Sequence, residues 1–298
     1  MLTLAYVTWT ATPIIYDFGF FQLTWYGLLF ATGFMLGTFI LTHVYKAERV
    51  AARWVDVLTV YVVLGTVLGA RLGHCLFYEW AYFSKHPLEI FFTFPWAGLA
   101  SHGAALGILL ATWLFSRRNR FNYLWVLDRI VLVVAVGGAC IRLGNLMNSE
   151  IIGRVTTVPW AFRFARYNEV HHELTNIPNE LRHPTQIYES LFCIFLFVLL
   201  YGIWNKYQER TPRGLLFGLF VTLLFSFRFG IEFLKENQEA FENHLIFNLG
   251  QLLSLPLIVL GLWVTLRAGK WSGNPYGHAP HALGTAAPPL GSAAPLPK

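Results

Sequence analysis

The chain has 298 residues, of which 55% are hydrophobic, 17% aromatic and only 13% charged, with a mean hydropathy of +0.49. A soluble domain carries roughly a quarter charged residues, so the composition excludes an ordinary soluble globule and points to a polytopic membrane protein. The formal net charge of +6 does not mark a nucleic-acid binder, because the basic residues do not gather on one face of a soluble domain.

Residues 1–18 read as an outside N-terminal segment without the basic n-region or small-residue cleavage site of a removable signal peptide. Apolar stretches then recur at about 19–44, 54–78, 97–115, 123–146, 187–205, 214–234 and 245–267. Each is close to the ~20 residues that cross a bilayer as helix. The predicted fold is therefore an all-α domain of seven transmembrane helices over residues 19–267.

Basic residues orient it. Lys46, Arg49, Arg53, Arg117, Arg118, Arg120, Lys206, Arg210, Arg213, Arg267, Lys270 and Lys298 fall on one side, against Lys85 and Lys235 in the short segments of the other. Twelve against two predicts the N-terminus outside and the C-terminus in the cytoplasm.

The connection 147–186 reads as an outside head loop carrying Trp160, Phe162, Phe164, Tyr167 and a His171–His172 pair, a length that suits a small structure or a lid. Residues 268–298, rich in Pro, Ala and Gly, read as a disordered cytoplasmic tail. Cys75, Cys140 and Cys193 lie far apart within spans and read as small packing residues.

Polar residues at membrane depth carry the functional reading. An arginine there costs roughly 3 kcal/mol or more against lipid, so it faces a cavity or a partner. In this orientation Arg71, Arg142 and Arg228 share the outer half of the membrane. Arg129, beside Asp128 near the inner end of its span, is placed to snorkel to the interface. Spans running the other way start outside with Tyr26, His102, His183-Pro184-Thr185-Gln186, Tyr188-Glu189, and Asn248 with Gln251. Helix N-termini present unpaired N–H groups and partial positive charge. Arginines and helix N-termini at one depth predict a pocket for an anionic lipid head group.

Structural readings stand beside these. Arg228 and Glu232 are spaced i, i+4 and can neutralise each other. Arg71, with His74 and Tyr78 on its face, can snorkel. The spacing Gly103-x-x-x-Gly107 lets a neighbouring helix approach closely, and His102 beside it can be either a hydrogen-bonding group or a base. His183 precedes Pro184 and can serve the turn.

The segment Arg142-Leu-Gly144-Asn145-Leu-Met-Asn148-Ser-Glu150-Ile-Ile-Gly153 resembles the signature of the prolipoprotein diacylglyceryl transferase family. Trp25-Tyr26-Gly27, Gly69-Ala-Arg71-Leu-Gly73, His102-Gly103, His183-Pro184-Thr185-Gln186-Ile-Tyr188-Glu189, Phe227-Arg228 with Glu232, and Gly250-Gln251 follow the family in order. Ile141 stands where the signature has Gly, Leu146 where it has Phe, Ala104 where a second Gly is usual, and Leu224 where members often have Tyr.

The resemblance implies a bacterial inner-membrane enzyme with its site near the outer leaflet. Such an enzyme moves the diacylglyceryl group of phosphatidylglycerol to the lipobox cysteine of preprolipoproteins and releases glycerol phosphate. It implies catalytic roles for His102, Arg142 and Arg228, with the arginines on the phosphodiester and His102 as base toward the thiol. Tyr26, Asn145, Glu150, Gly153, Arg71, Glu232, Gln186, Tyr188 and Gln251 would line or orient the lipid site. No metal or organic cofactor is expected, and the partners are phosphatidylglycerol, the preprolipoprotein and membrane lipids. The alternative reading is a transporter or flippase for an anionic lipid.

Overall fold

The computed structural model describes residues 6–92, 100–164, 180–236 and 247–269. It is mostly helical. Three short strands, β1 (Val7–Trp9), β2 (Ile14–Asp17) and β3 (Gln22–Thr24), precede the helices α1 (Trp25–Ala47) and α2 (Arg53–Phe77). Two single-turn helices, α3 (Trp80–Phe83) and α4 (Glu89–Phe92), lead to α5 (Ser101–Asn119) and α6 (Tyr123–Met147). Strand β4 (Phe162–Phe164) lies in the following connection, and α7 (Thr185–Tyr207), α8 (Leu215–Ile231) and α9 (Leu249–Arg267) complete the order.

Among the described residues, six helices are long and apolar enough to cross a membrane: Trp25–Ala47, Arg53–Phe77, Tyr123–Met147, Thr185–Arg210, Leu215–Leu234 and Leu249–Arg267. The remaining expected span corresponds to α5. That helix starts at Ser101-His102-Gly103 and ends in Arg117-Arg118-Asn119, which dilutes the apolar character of its 19 residues. Part of that expected span, and residues 270–298 of the expected tail, lie outside the described residues, as do Tyr167, His171 and His172.

The first helix begins later than residue 19. Asp17 Oδ1 accepts from Gly19 N at 2.7 Å and Oδ2 from Gln22 Nε2 at 2.9 Å, while Gly19 has φ of +84°. These bonds close an antiparallel hairpin of β2 and β3, so Phe20 and Phe21 belong to a turn rather than a span. Strand β1 pairs in parallel with β4, and Trp9 Nε1 donates to Leu146 O at 3.0 Å. The N-terminal segment is thereby fastened to the end of α6.

The chain divides into two compact units. The first holds the described residues 6–40, 128–207 and 211–269; the second holds 41–127 and 208–210.

In the second unit α2 and α5 meet through glycine. A methyl group on Gly69, Gly103 or Gly107 would run into the carbonyl oxygen of Gly103, Gly69 or Gly65, respectively. The backbones themselves are the contact surface, as close packing in lipid favours. Arg71 is buried here; its Nε donates to Ile90 O at 3.0 Å and its Nη2 to Glu89 O at 3.3 Å, with Phe83 4.9 Å beneath the guanidinium. It braces α3 and α4 against α2.

In the first unit the pairs Gly218/Thr222 and Gly261/Thr265 bring α8 and α9 together. Each threonine hydroxyl donates to the carbonyl of the glycine four residues earlier, at 2.8 Å. Phe192 of α7 stacks on Phe227 of α8, centroids 4.0 Å apart. The N-terminal part of α6 caps α8: Asp128 Oδ2 accepts from Gly214 N at 2.7 Å and Oδ1 from Phe217 N at 2.9 Å.

Arg129 does not snorkel. It is fully buried, with Nη1 3.8 Å from Asp128 Oδ2, because the carboxylate that caps α8 also draws the guanidinium inward. Removing a cap and leaving buried N–H groups unpaired costs about 1–3 kcal/mol. Asp128→Ala should accordingly lower the thermal midpoint of the detergent-solubilised protein. An unchanged midpoint would count against the cap.

Candidate functional site

The last turn of α6 delivers Arg142 and Asn145 on one face, and the chain then turns sharply. Ser149 and Ile151 take φ of +55° and +58° on either side of Glu150. The left-handed region is costly for a β-branched residue, so this turn is held from outside. Thr185 Oγ1 donates to Ile151 O at 2.9 Å and Gln186 Nε2 to Glu150 O at 2.7 Å. Both donors come from the first turn of α7, and both residues are fully buried.

The turn points the Glu150 carboxylate back at its own helix. Glu150 Oε1 accepts from Asn145 Nδ2 at 2.7 Å and from Asn148 Nδ2 at 3.1 Å. Asn145 Oδ1 accepts in turn from Arg142 Nη1 at 3.2 Å. Asn145 therefore relays between carboxylate and guanidinium, which explains why an amide stands there.

Gly144 admits Tyr26. A Cβ at Gly144 would lie 2.8 Å from Tyr26 Cδ2, so the absent side chain seats the ring beside the turn bearing Arg142. Gly153 serves close approach in the same way. A Cβ there would stand 2.6 Å from His183 Cβ and 2.9 Å from Leu234 O. Gly153 N donates to His183 O at 3.0 Å. Arg182 Nη1 donates to Gly153 O at 3.2 Å and to Glu236 Oε1 at 2.8 Å.

From Arg142 a chain of alternating charges crosses the unit. Arg142 Nε lies 3.4 Å from Glu189 Oε2. Lys235 Nζ donates to Glu189 Oε1 at 2.9 Å and reaches Glu232 Oε1 at 3.5 Å. Arg228 Nε completes it, 3.8 Å from Glu232 Oε1. Three cations and two carboxylates leave one positive charge in surplus along this chain. The two arginines at its ends are the accessible members, with side chains 24% and 35% exposed against 4% for Lys235.

Glu232 also accepts from Asn248 Nδ2 at 3.2 Å. Asn248 and Gln251 form a reciprocal capping box at the start of α9, and Gln251 Nε2 donates to Phe229 O at 3.3 Å. Gln251 is thus a buried scaffold group.

Tyr188 OH accepts from Trp160 Nε1 at 2.7 Å and lies 3.2 Å from His183 Nδ1. Burial lowers the pKa of the His183 imidazole below its ordinary value.

Ten of the twelve residues expected at the site therefore belong to the first unit: Tyr26, Arg142, Asn145, Glu150, Gly153, Gln186, Tyr188, Arg228, Glu232 and Gln251. The other two, Arg71 and His102, belong to the second. There His102 is exposed in the first turn of α5, beside the Gly103 contact with α2. Lys235 and Glu189 were absent from the expected set, although Glu189 closes the motif that starts at His183. The i, i+3 spacing of Glu232 and Lys235 was the available signal for the lysine.

An integral membrane protein of several apolar helices, with two accessible arginines at the ends of a buried ion chain, is suited to an anionic lipid. The sequence profile of the prolipoprotein diacylglyceryl transferase family matches residues 13–267. A phosphatidylglycerol–prolipoprotein diacylglyceryl transferase of Porphyromonas gingivalis is 45% identical over 273 residues, covering 89% of this chain and 96% of its own. Proteins of the same name from Chloroherpeton thalassium and Tolumonas auensis are each 41% identical, covering 91% and 88% of this chain and 97% of their own lengths. The chain belongs to the prolipoprotein diacylglyceryl transferase family.

Proposed function

We propose that this protein transfers the diacylglyceryl group of phosphatidylglycerol to the thiol of a lipobox cysteine in a prolipoprotein, the first step of bacterial lipoprotein maturation. The observation that carries this reading is the pair Arg142 and Arg228, accessible at the ends of one ion chain, in a member of this family. The protein works in the bacterial inner membrane, with α5 as a seventh span, the N-terminus outside and the site near the outer leaflet. The positive-inside bias supports that orientation.

In the reaction the sulfur attacks glycerol C3 and a C–S bond forms. The C–O bond to phosphate breaks, and its electron pair leaves on glycerol phosphate. Charge grows on the leaving phosphate, where prepositioned guanidinium groups stabilise the transition state more than the ground state. Arg142 and Arg228 take this role, with planar multi-donor geometry that lysine lacks. Asn145 and Glu150 orient Arg142, Tyr26 and Tyr188 flank the head group, and Gln186, Glu232, Gln251 and Gly153 hold the frame. Arg71 shapes the second unit, and His102 accepts the thiol proton.

Purified protein mixed with phosphatidylglycerol and a lipobox peptide tests the reading. The expected result is a peptide heavier by one diacylglyceryl group, with glycerol phosphate released in equal amount. Movement of lipid without either product would replace the transferase with a transporter. His102→Gln should lower the rate about a hundredfold at pH 7, with partial recovery near pH 9 as the thiol ionises unaided. An undiminished rate at pH 7 would remove the histidine from the mechanism.

A further inference from the structure

We infer that Lys235 is a positioning residue. It holds Glu189 and Glu232 so that Arg142 and Arg228 keep their guanidinium edges for the lipid phosphate, an inference that rests on the function proposed above.

The distances show which cation holds the carboxylates. A strong charge-assisted hydrogen bond to a carboxylate is about 2.7–2.9 Å long. Lys235 meets that with Glu189 at 2.9 Å, whereas Arg142 stands 3.4 Å from Glu189 and Arg228 stands 3.8 Å from Glu232. The Glu189 oxygen nearer to Arg142, Oε2, is buried and has no hydrogen-bond partner. Glu189 is thus drawn towards the lysine, Glu232 stands 3.5 Å from the lysine and 3.8 Å from Arg228, and the arginines are only loosely paired.

The backbone fixes Lys235 in place. Its N–H donates to Glu232 O at 3.2 Å, its carbonyl accepts from Arg154 Nε at 2.9 Å, and it bridges to Gly153. A buried ammonium is expensive to desolvate unless it is well paired, and Lys235 is 4% exposed with two carboxylates.

Without the lysine, two arginines would face two carboxylates with no charge in surplus. Each Glu would close on its neighbouring Arg, and a phosphodiester would then have to displace it. Lys235 therefore acts on lipid affinity through the arginines and touches no reacting atom.

The test is steady-state transfer by the purified full chain in mixed micelles, with phosphatidylglycerol varied at saturating lipobox peptide. In Lys235→Met the phosphatidylglycerol fraction giving half-maximal rate should rise about tenfold, with the maximal rate within about threefold of wild type. Lys235→Arg should restore the wild-type dependence, and adding Glu189→Gln to Lys235→Met should recover most of it by removing the unneutralised carboxylate.

An unchanged lipid dependence in Lys235→Met would overturn the inference, as would a pure loss of maximal rate. If that variant does not accumulate, the double variant carries the same reading. Near-normal lipid dependence in the double variant supports the inference, and a tenfold weakening sinks it. Inactivity of the wild-type protein would instead remove the proposed transferase function.

Discussion

Arg142→Ala should lower the transfer rate by about a thousandfold while the protein still accumulates in membranes. In the proposed reaction the substitution removes a preorganised cation from where negative charge develops, and the magnitude follows from that. Accumulation follows from the surroundings, because Glu189 keeps its 2.9 Å bond to Lys235 when the guanidinium is gone. Asn145 likewise keeps Glu150 at 2.7 Å. Arg142→Lys should fail nearly as badly, since an ammonium cannot both donate to Asn145 and present a second edge to a phosphate. The measurement is transfer per mole of purified protein beside its thermal midpoint. Activity within tenfold of wild type in the alanine variant would remove Arg142 from the chemistry.

Gly103→Leu should have the largest effect on the fold. At this position the first added carbon collides with Gly69 O and lies 2.8 Å from Gly73 Cα. The obstacle is backbone on the facing helix, so no rotamer relieves it and α2 and α5 must separate. Overpacking costs about 1–3 kcal/mol where side chains can yield, and more where they cannot. Gly202→Ala in α7 is the matched control, because a Cβ there meets nothing within 4 Å. The expected result is loss of the folded peak in detergent size-exclusion for Gly103→Leu and a midpoint at or above wild type for Gly202→Ala. Equal midpoints would show that the glycine contact does not hold the pair.

Six of the seven expected spans were legible in the sequence because a bilayer imposes a length and an apolar composition. Helix α5, expected as a span like the others, falls outside the six apolar helices because its packing requirement selects Gly, Ala and Ser over leucine. The start of α1 was misplaced by Phe20 and Phe21. Two apolar side chains extend a hydropathy run, whereas the Asp17 and Gln22 bonds that turn the chain leave no trace in it. Strands of three or four residues are likewise too short to show a period of two.

At the site, Arg142, Asn145 and Glu150 were legible because they fall within one turn and its exit. Lys235 was not, because its strongest partner, Glu189, lies 46 residues away. A lysine beyond the end of a span reads as a solvated charge. The contacts of Arg71 with Glu89 and Ile90 were hidden for the same reason: local spacing says nothing about which distant carbonyls a long side chain reaches.

The turn at Ser149 and Ile151 has a consequence for laboratory evolution. Two left-handed residues, one of them β-branched, hold Glu150 against Asn145 at a cost of about 1–3 kcal/mol each. Selection for heat resistance alone will therefore find gain here, with glycine or asparagine at 151 relieving the backbone. Those winners would keep the left-handed backbone, and with it the carboxylate that braces the Arg142 turn. Heat resistance and activity should therefore rise together at this residue rather than compete.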